Sequence, residues 1–294
     1  MMAIVINFVL STFITTNATS SRIVVVEMTF FLVLILWLIS GCNSNVNQAA
    51  SIANPLDQGS ISTSTTGVLS EVDQYAADHP NSNLSSASFG TTDKGSMTNG
   101  KLLPFQVGCL TYFDTSSYLA GRAYINDQLL LTTKAVADTL SSWYPERNFC
   151  IMETGFEKGG PLPPHRTHQN GLSMDVMIPL KKGDQPFYDL DGLGAPHYGL
   201  EFDNRGQLRS NTEVVVDFET LGGLIYAFQL CAKNQNMCIA KVLLKTEFKA
   251  LLFNTVYGKK LLKEEVYFAQ SLTPMINSLH DDHVHLDFKF KSTE

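Results

Sequence analysis

Two groups of histidines, more than a hundred residues apart, constrain the fold of this chain most strongly. Five of the seven histidines fall in these groups. GGPLPPHRTHQNGLSMD contains His165 and His168, and HDDHVH contains His280, His283 and His285. Histidines scattered over a core or a surface would not cluster in this way, so a shared site is the economical explanation. The fold must therefore bring a mid-chain segment beside a segment near the C-terminus.

The spacing within each group suggests how such a site is built. His283 and His285 stand two apart on the alternating stretch HVHLDFKF, which predicts a strand with both side chains on one face. His168 and Asp175 are seven apart, and Gly171 between them allows a turn before a second strand. If the two strands are neighbours, one cleft receives His168, Asp175 and His285. Imidazole and carboxylate are ligands of catalytic zinc, which commonly has three protein ligands and a water.

Other interpretations of these motifs remain open. A single His-x-His on a surface strand is usually without function, and HDDH could be a solvated polar loop. The joint presence of both groups favours a metal site over these alternatives. The chain has no His-Glu-x-x-His, which excludes the helical zincin type, and no Gly-x-Ser-x-Gly, which argues against a serine hydrolase.

Composition and patterning predict a globular α+β domain. Of 294 residues, 44% are hydrophobic, and the formal net charge of -7 argues against nucleic acid as a partner. The patterns predict helices over 124–143, 217–232 and 247–257, and strands over 149–156, 172–180, 237–244 and 283–290. No βαβ rhythm repeats, so we expect a mainly antiparallel central sheet flanked by helices.

The N-terminal region resembles the signal peptide of a bacterial lipoprotein. Residues 28–42, MTFFLVLILWLISGC, hold an apolar run too short to span a bilayer comfortably, and they end in a lipobox-like ISGC. The resemblance implies a signal peptide over 1–42, a lipid on Cys42 that attaches the chain to a membrane, and a periplasmic location. Asn43 in place of an Asp favours the outer membrane. The alternative is an ordinary transmembrane anchor.

The remaining organisation follows from composition. Residues 43–100 are rich in Ser, Thr, Asn and Gly, which predicts a flexible tether with at most a short helix near 71–77, followed by a folded domain over 101–294. Outside the cytoplasm four cysteines could form two disulfides in three possible pairings: Cys109, Cys150, Cys231 and Cys238. The pair Cys231–Cys238 is the first choice, and four buried thiols are the alternative.

The two histidine strings together resemble the penicillin-insensitive murein endopeptidases. These belong to a wider group of lysostaphin-like, D-Ala-D-Ala-peptidase-like and hedgehog-like zinc folds. The segments LAGRAYINDQLLL and WYPERNF are also similar to that family. The resemblance covers roughly residues 111–290 and implies a hedgehog/D-Ala-D-Ala-peptidase-like fold.

The resemblance also implies roles for individual residues. It makes His168, Asp175 and His285 the ligands of Zn²⁺, with His165 approaching the same metal. His283 matches the histidine that acts as acid and base, and His280 matches a further active-site histidine. Asp281 or Asp282 could orient one of these imidazoles. Ser173 differs from relatives, which often have Asp at that position.

The activity implied is zinc-dependent hydrolysis of D-amino-acid-containing cross-links in peptidoglycan. Two alternatives stay open: a D,D- or L,D-carboxypeptidase that trims stem peptides, and a zinc-holding cell-wall binding module without turnover. The presence of His283 and His280 argues against the second alternative, because a binding module needs only the metal ligands. The patterns predict no oligomeric state.

Overall fold

A six-stranded sheet forms the centre of the protein. The computed structural model describes residues 70–291, which belong to one unit, Thr65–Glu294. The strands are β1 (Ala87–Gly90), β2 (Gly95–Thr98), β3 (Lys101–Leu102), β4 (Gln106–Val107), β5 (Leu110–Tyr112), β6 (Tyr124–Ile125), β7 (Phe149–Ile151), β8 (Ser173–Met177), β9 (Leu180–Lys182), β10 (Gln185–Phe187), β11 (Gln207–Leu208), β12 (Asn211–Val216), β13 (Met237–Leu243) and β14 (His283–Phe290). The helices are α1 (Glu71–Asp78), α2 (Thr115–Leu119), α3 (Asp127–Trp143), α4 (Phe218–Asn234), α5 (Phe248–Phe253), α6 (Val256–Lys263) and α7 (Pro274–Ser278).

The central sheet has the order β13-β14-β8-β7-β5-β4. All its neighbouring strands are antiparallel except β5 and β7, which run parallel. Smaller antiparallel sheets have the orders β10-β9-β12-β11, β1-β2 and β3-β6. The prediction of an α+β fold with mainly antiparallel strands is therefore confirmed.

The strand β14 separates a polar face from an apolar core. Val284 and Leu286 are fully buried on one face, which α4 covers through a contact between the rings of Phe228 and Phe288. Burying each such aliphatic side chain contributes about 1.5–3 kcal/mol. The alternation along β14 then directs every second residue, starting with His283, to the opposite face. The predicted bounds of this strand, 283–290, are confirmed.

Two predicted helices have different bounds for local reasons. Residues 124 and 125 form a strand rather than the start of a helix, and α3 begins after Asn126, whose side chain accepts a hydrogen bond from the backbone N–H of Gln128. The predicted helix over 247–257 is two helices, α5 and α6. The side chain of Thr255 accepts a hydrogen bond from the Gly258 N–H and so begins α6.

The short helix that the sequence allows near 71–77 is present as α1, but the prediction of a flexible tether as far as residue 100 is wrong for residues 71–98. This stretch contains α1 and the hairpin β1–β2, and Met97 is only 2% exposed. The buried ammonium group of Lys101 donates hydrogen bonds to the carbonyl oxygens of Ser82 and Leu84, which ties the stretch to the sheet β3–β6. The folded region therefore begins well before the predicted boundary at residue 101. The predicted signal peptide, Cys42 and the tether over 43–69 lie outside the described residues.

The predicted disulfides are also wrong, because the four cysteines of the described region are free thiols. Cys231 lies on α4 with its sulfur 3.4 Å from the Thr139 hydroxyl of α3. Cys238 lies on β13, opposite Lys289 of β14. The two cysteines of the preferred pair thus sit on different elements with different neighbours. Among the described residues, no helix is long and apolar enough to cross a membrane.

Candidate metal centre

The pairing of β8 with β14 creates one half of the site, here called the strand half. Asp175 of β8 lies directly opposite His285 of β14 in the antiparallel register. Side chains in such a pair share a face and lie within contact distance. The Asp175 Oδ1 atom is 2.8 Å from Nδ1 of His285, and the Asp175 Oδ2 atom is 4.0 Å from Nε2 of His283. The ladder therefore places one carboxylate beside two imidazoles.

The loop between β7 and β8 supplies the other half, here called the loop half. His168 is fully buried, and its Nδ1 atom lies 3.0 Å from the carbonyl oxygen of Thr154. A carbonyl can only accept a hydrogen bond, so Nδ1 carries the proton and Nε2 has a free lone pair. This Nε2 atom lies 3.3 Å from Asp175 Oδ1, and Nδ1 of His165 lies 3.3 Å from Asp175 Oδ2.

The hairpin β1–β2 supports this loop. The backbone N–H of Gln169 donates to the carbonyl oxygen of Thr92, and the N–H of Met97 donates to that of Lys158. Gly171 has a φ of 74°, and a methyl group there would overlap the sulfur of Met97. The positive φ favours glycine at this position, and the buried Met97 side chain would have to move to admit a methyl group. The stretch predicted as a tether is in fact a support for the loop that bears His165 and His168.

The donor atoms of the two halves fit a metal ion. Ligand atoms of His165, His168 and Asp175 all lie within 4.8 Å of one another, so this group could hold a cation. The buried His168 Nε2 and Asp175 Oδ2 atoms have no hydrogen-bond partner among the described residues. Burial lowers the pKa of His168, which keeps this imidazole neutral as a metal ligand must be. His285, the third ligand implied by the family resemblance, lies outside this group but contacts Asp175.

Glu153 is a residue of the candidate site that the sequence motifs did not reveal. Its carboxylate accepts two hydrogen bonds from Arg122, at 2.5 and 2.6 Å, and lies 2.6 Å from Nε2 of His165. Burial alone would raise the pKa of Glu153, but His165 and Arg122 lower it to about 2. The ionised carboxylate therefore holds the His165 ring beside Asp175.

Asp287 performs a similar role for His285. Its Oδ1 atom lies 2.8 Å from Nε2 of His285 and accepts a hydrogen bond of 2.7 Å from the Ser173 hydroxyl. Lys241 lies 2.8 Å from the other carboxylate oxygen. Burial opposes ionisation of His285, but Asp287 and Asp175 raise its pKa to about 9. The signal for Asp287 was present in the sequence, because it stands two residues after His285 on the same strand.

His283 and His280, the other two predicted histidines, lie beside the same group. His283 Nδ1 lies 2.5 Å from Asp282 Oδ1, and the Asp282 and Asp175 carboxylates raise the pKa of His283 against the opposing effect of burial. The ring of His280 lies 4.9 Å from that of His283, and burial with the nearby His283 lowers the pKa of His280 to about 3.

Of the two acidic residues that could orient an imidazole, Asp282 does so. Asp281 instead accepts hydrogen bonds from Lys245 and from the backbone N–H of Phe202. The structure therefore brings together all six predicted site residues: His165, His168, Asp175, His280, His283 and His285.

Comparisons with known proteins assign no family to this chain. No model of a protein family matches the chain, and no curated protein matches it.

Proposed function

We propose that this protein is a zinc metallopeptidase that hydrolyses D-amino-acid-containing cross-links of peptidoglycan, with a hedgehog/D-Ala-D-Ala-peptidase-like fold. The observation that carries the proposal is the arrangement of His283. Its Nδ1 atom is bonded to Asp282, and its Nε2 atom lies 4.0 Å from Asp175 in the group that could hold a metal. A site that only bound a cation would need no such oriented imidazole beside it.

The proposed ligands of the zinc ion are His168, Asp175 and His285, with His165 close by. Because Asp287 and Asp175 raise the pKa of His285 to about 9, zinc binding at its Nδ1 atom releases a proton from this imidazole. Nitrogen and carboxylate oxygen donors of this kind are typical of catalytic zinc. The Asp287 carboxylate holds Nε2 of His285, so that Nδ1 faces Asp175. When bound, zinc lowers the pKa of a water ligand from 15.7 to about 7 and polarises the scissile carbonyl.

The proposed chemistry assigns proton transfer to His283. Its Nε2 atom accepts a proton as the water oxygen adds to the scissile carbonyl carbon, and it returns that proton to the amine as the C–N bond breaks. Asp282 stabilises the imidazolium that forms between these steps, and His280 lies against the same ring. General acid–base catalysis of this kind contributes about 10²–10⁴-fold to the rate.

The substrate class is supported by the family resemblance of the two histidine strings. The same resemblance supports a periplasmic protein attached to the outer membrane through a lipid on Cys42. Two rival activities remain: a D,D- or L,D-carboxypeptidase and a zinc-holding binding module. Only the products of a digest separate them.

The test is incubation of the full-length, zinc-loaded protein with cross-linked muropeptide dimers, followed by mass spectrometry. Monomers are the expected product, and a chelator should prevent their formation. Loss of a terminal D-Ala without monomers would establish the carboxypeptidase instead, and zinc binding without any product would contradict both hydrolases.

A matched pair of variants tests the role of His283. We expect His283→Ala to retain zinc and to lose at least about 100-fold in cleavage rate. His79→Ala, at the exposed end of α1, should cleave at the wild-type rate. Wild-type cleavage by His283→Ala would contradict the proposed proton transfer.

A further inference from the structure

Tyr198 lies between the two halves of the site. It belongs to a short 3₁₀ turn, Ala195–Gly199. Its ring packs edge-on against His283 of the strand half, at 5.2 Å between centroids, and against His165 of the loop half, at 5.9 Å. The phenol therefore forms part of the wall around the group that could hold a metal.

Several contacts fix the turn that carries this ring. The buried His197 has its Nδ1 atom 3.2 Å from the Leu190 carbonyl oxygen and its Nε2 atom 3.4 Å from that of Asp282. At the start of the turn, the Ala195 N–H donates to the side chain of Asp114. Phe113 packs edge-on against Tyr198 at 5.8 Å. The ring is thus held in place by contacts other than those with His165 and His283.

The hydroxyl of Tyr198 is buried and has no hydrogen-bond partner among the described residues. The buried hydroxyls of two nearby tyrosines do have partners, since Tyr112 lies 3.0 Å from the Ser117 hydroxyl and Tyr118 donates to the Leu103 carbonyl oxygen. Buried hydroxyl groups are usually hydrogen-bonded, so one without a partner at a candidate site is free to bond a ligand.

The geometry points to Tyr198 as a catalytic residue, whose hydroxyl donates a hydrogen bond to the scissile carbonyl oxygen as that oxygen gains negative charge. The inference rests on the proposed peptidase function. A phenol ionises near pH 10, so at neutral pH it is a donor. The neighbouring carboxylates of Asp175 and Glu153 would repel an oxyanion, and a neutral donor between His165 and His283 offsets that repulsion. Donors of this kind contribute about 10²–10³-fold to the rate.

The variant Tyr198→Phe tests the role because it keeps the ring contacts and removes only the hydroxyl. Full-length zinc-loaded protein is assayed on cross-linked muropeptide dimers. We expect kcat to fall about 100-fold, with KM within about threefold and zinc content unchanged. Tyr144→Phe is the matched control, because its hydroxyl is also buried without a partner but packs against Gly223 of α4.

The outcomes separate the inference from the function on which it rests. Cleavage by the wild type together with an undiminished kcat in Tyr198→Phe would overturn the role of Tyr198 and leave the peptidase intact. An equal loss of kcat in Tyr144→Phe would also overturn it, since the effect would then be structural. A wild-type protein that binds zinc and cleaves nothing would overturn the peptidase function and this inference together.

Discussion

The strand half and the loop half of the site are built by different means. In the strand half, Asp175 and His285 face each other because the β8–β14 register pairs them. In the loop half, His165 and His168 belong to a loop whose position depends on the β1–β2 hairpin and on Glu153. Both halves converge on Asp175, which contacts histidines of each.

This difference predicts how substitutions in each half should act. A ladder position is set by many backbone hydrogen bonds, so single substitutions on the strand half should act through side-chain chemistry. A loop is set by a few contacts, so substitutions on the loop half should act through displacement of its backbone. The predictions below perturb Asp175 first and then each half in turn.

Asp175→Asn should have the largest effect because it removes the group shared by both halves. We expect zinc affinity, measured by competition with a chromogenic chelator, to fall by more than about 100-fold, since even residues that only orient a ligand cost about 10–100-fold. Asp189→Asn, an exposed carboxylate, is the control and should bind as the wild type. An Asp175→Asn variant that binds zinc within about threefold of the wild type would show that the metal lies elsewhere.

Asp287→Asn perturbs the strand half without touching the loop. Loss of the charge beside His285 Nε2 should weaken the orientation of that ring and lower zinc affinity by about 10–100-fold. Ser173→Ala removes only one hydrogen bond to Asp287 and should cause a smaller loss. If Asp287→Asn binds zinc as the wild type does, His285 is not held as a ligand in the way proposed.

Gly171→Ala perturbs the loop half through its backbone. The methyl group would overlap Met97, which costs about 1–3 kcal/mol in addition to the strain of a positive φ. Gly183→Ala is the matched control, because its φ of 60° imposes similar strain while the space around it is open. In urea unfolding, Gly171→Ala should be less stable than Gly183→Ala and should also bind zinc more weakly. Equal stability and zinc affinity of the two variants would exclude the hairpin as a support.

Glu153→Gln tests the pH dependence of the loop half in metal-free protein. The pKa of Glu153 is lowered from 4.5 to about 2 in the fold, so its stabilising effect is present above about pH 4.5 and is lost as the pH falls towards 2. We expect the wild type to exceed Glu153→Gln in free energy of unfolding by about 1–3 kcal/mol at pH 6, with a smaller difference at pH 3.

The control for this pH dependence is Glu213→Gln. Glu213 pairs with Lys182 in full solvent, so its removal should change stability little at either pH. A Glu153→Gln difference that stays constant from pH 6 to pH 3 would contradict the lowered pKa.

The parts of the fold that the sequence predicts are those with a local pattern. Alternation in HVHLDFKF predicts β14 with its observed bounds, and the histidine spacing predicts which side chains share its polar face. The hairpin β1–β2 was missed because its Ser, Thr and Gly residues resemble a linker. Its order comes from docking, with Met97 as its buried anchor.

Two residues of the candidate site were also not predicted from the sequence, because no local pattern marks them. Glu153 and Tyr198 follow no motif and reach the site only through the path of the chain, so no spacing rule identifies them. The predicted disulfide between Cys231 and Cys238 failed because short sequence separation does not determine which way two side chains face.

The central claim is that one zinc ion is bound by His168 of the loop half together with Asp175 and His285 of the strand half. X-ray absorption at the zinc edge of the full-length protein tests it most directly, with His285→Ala as the comparison. The account predicts two imidazole nitrogens and one carboxylate oxygen at about 2.0–2.2 Å in the wild type, and one imidazole fewer in the variant. An unchanged zinc spectrum in His285→Ala would contradict it, because the metal would then be held by the group His165, His168 and Asp175 without His285.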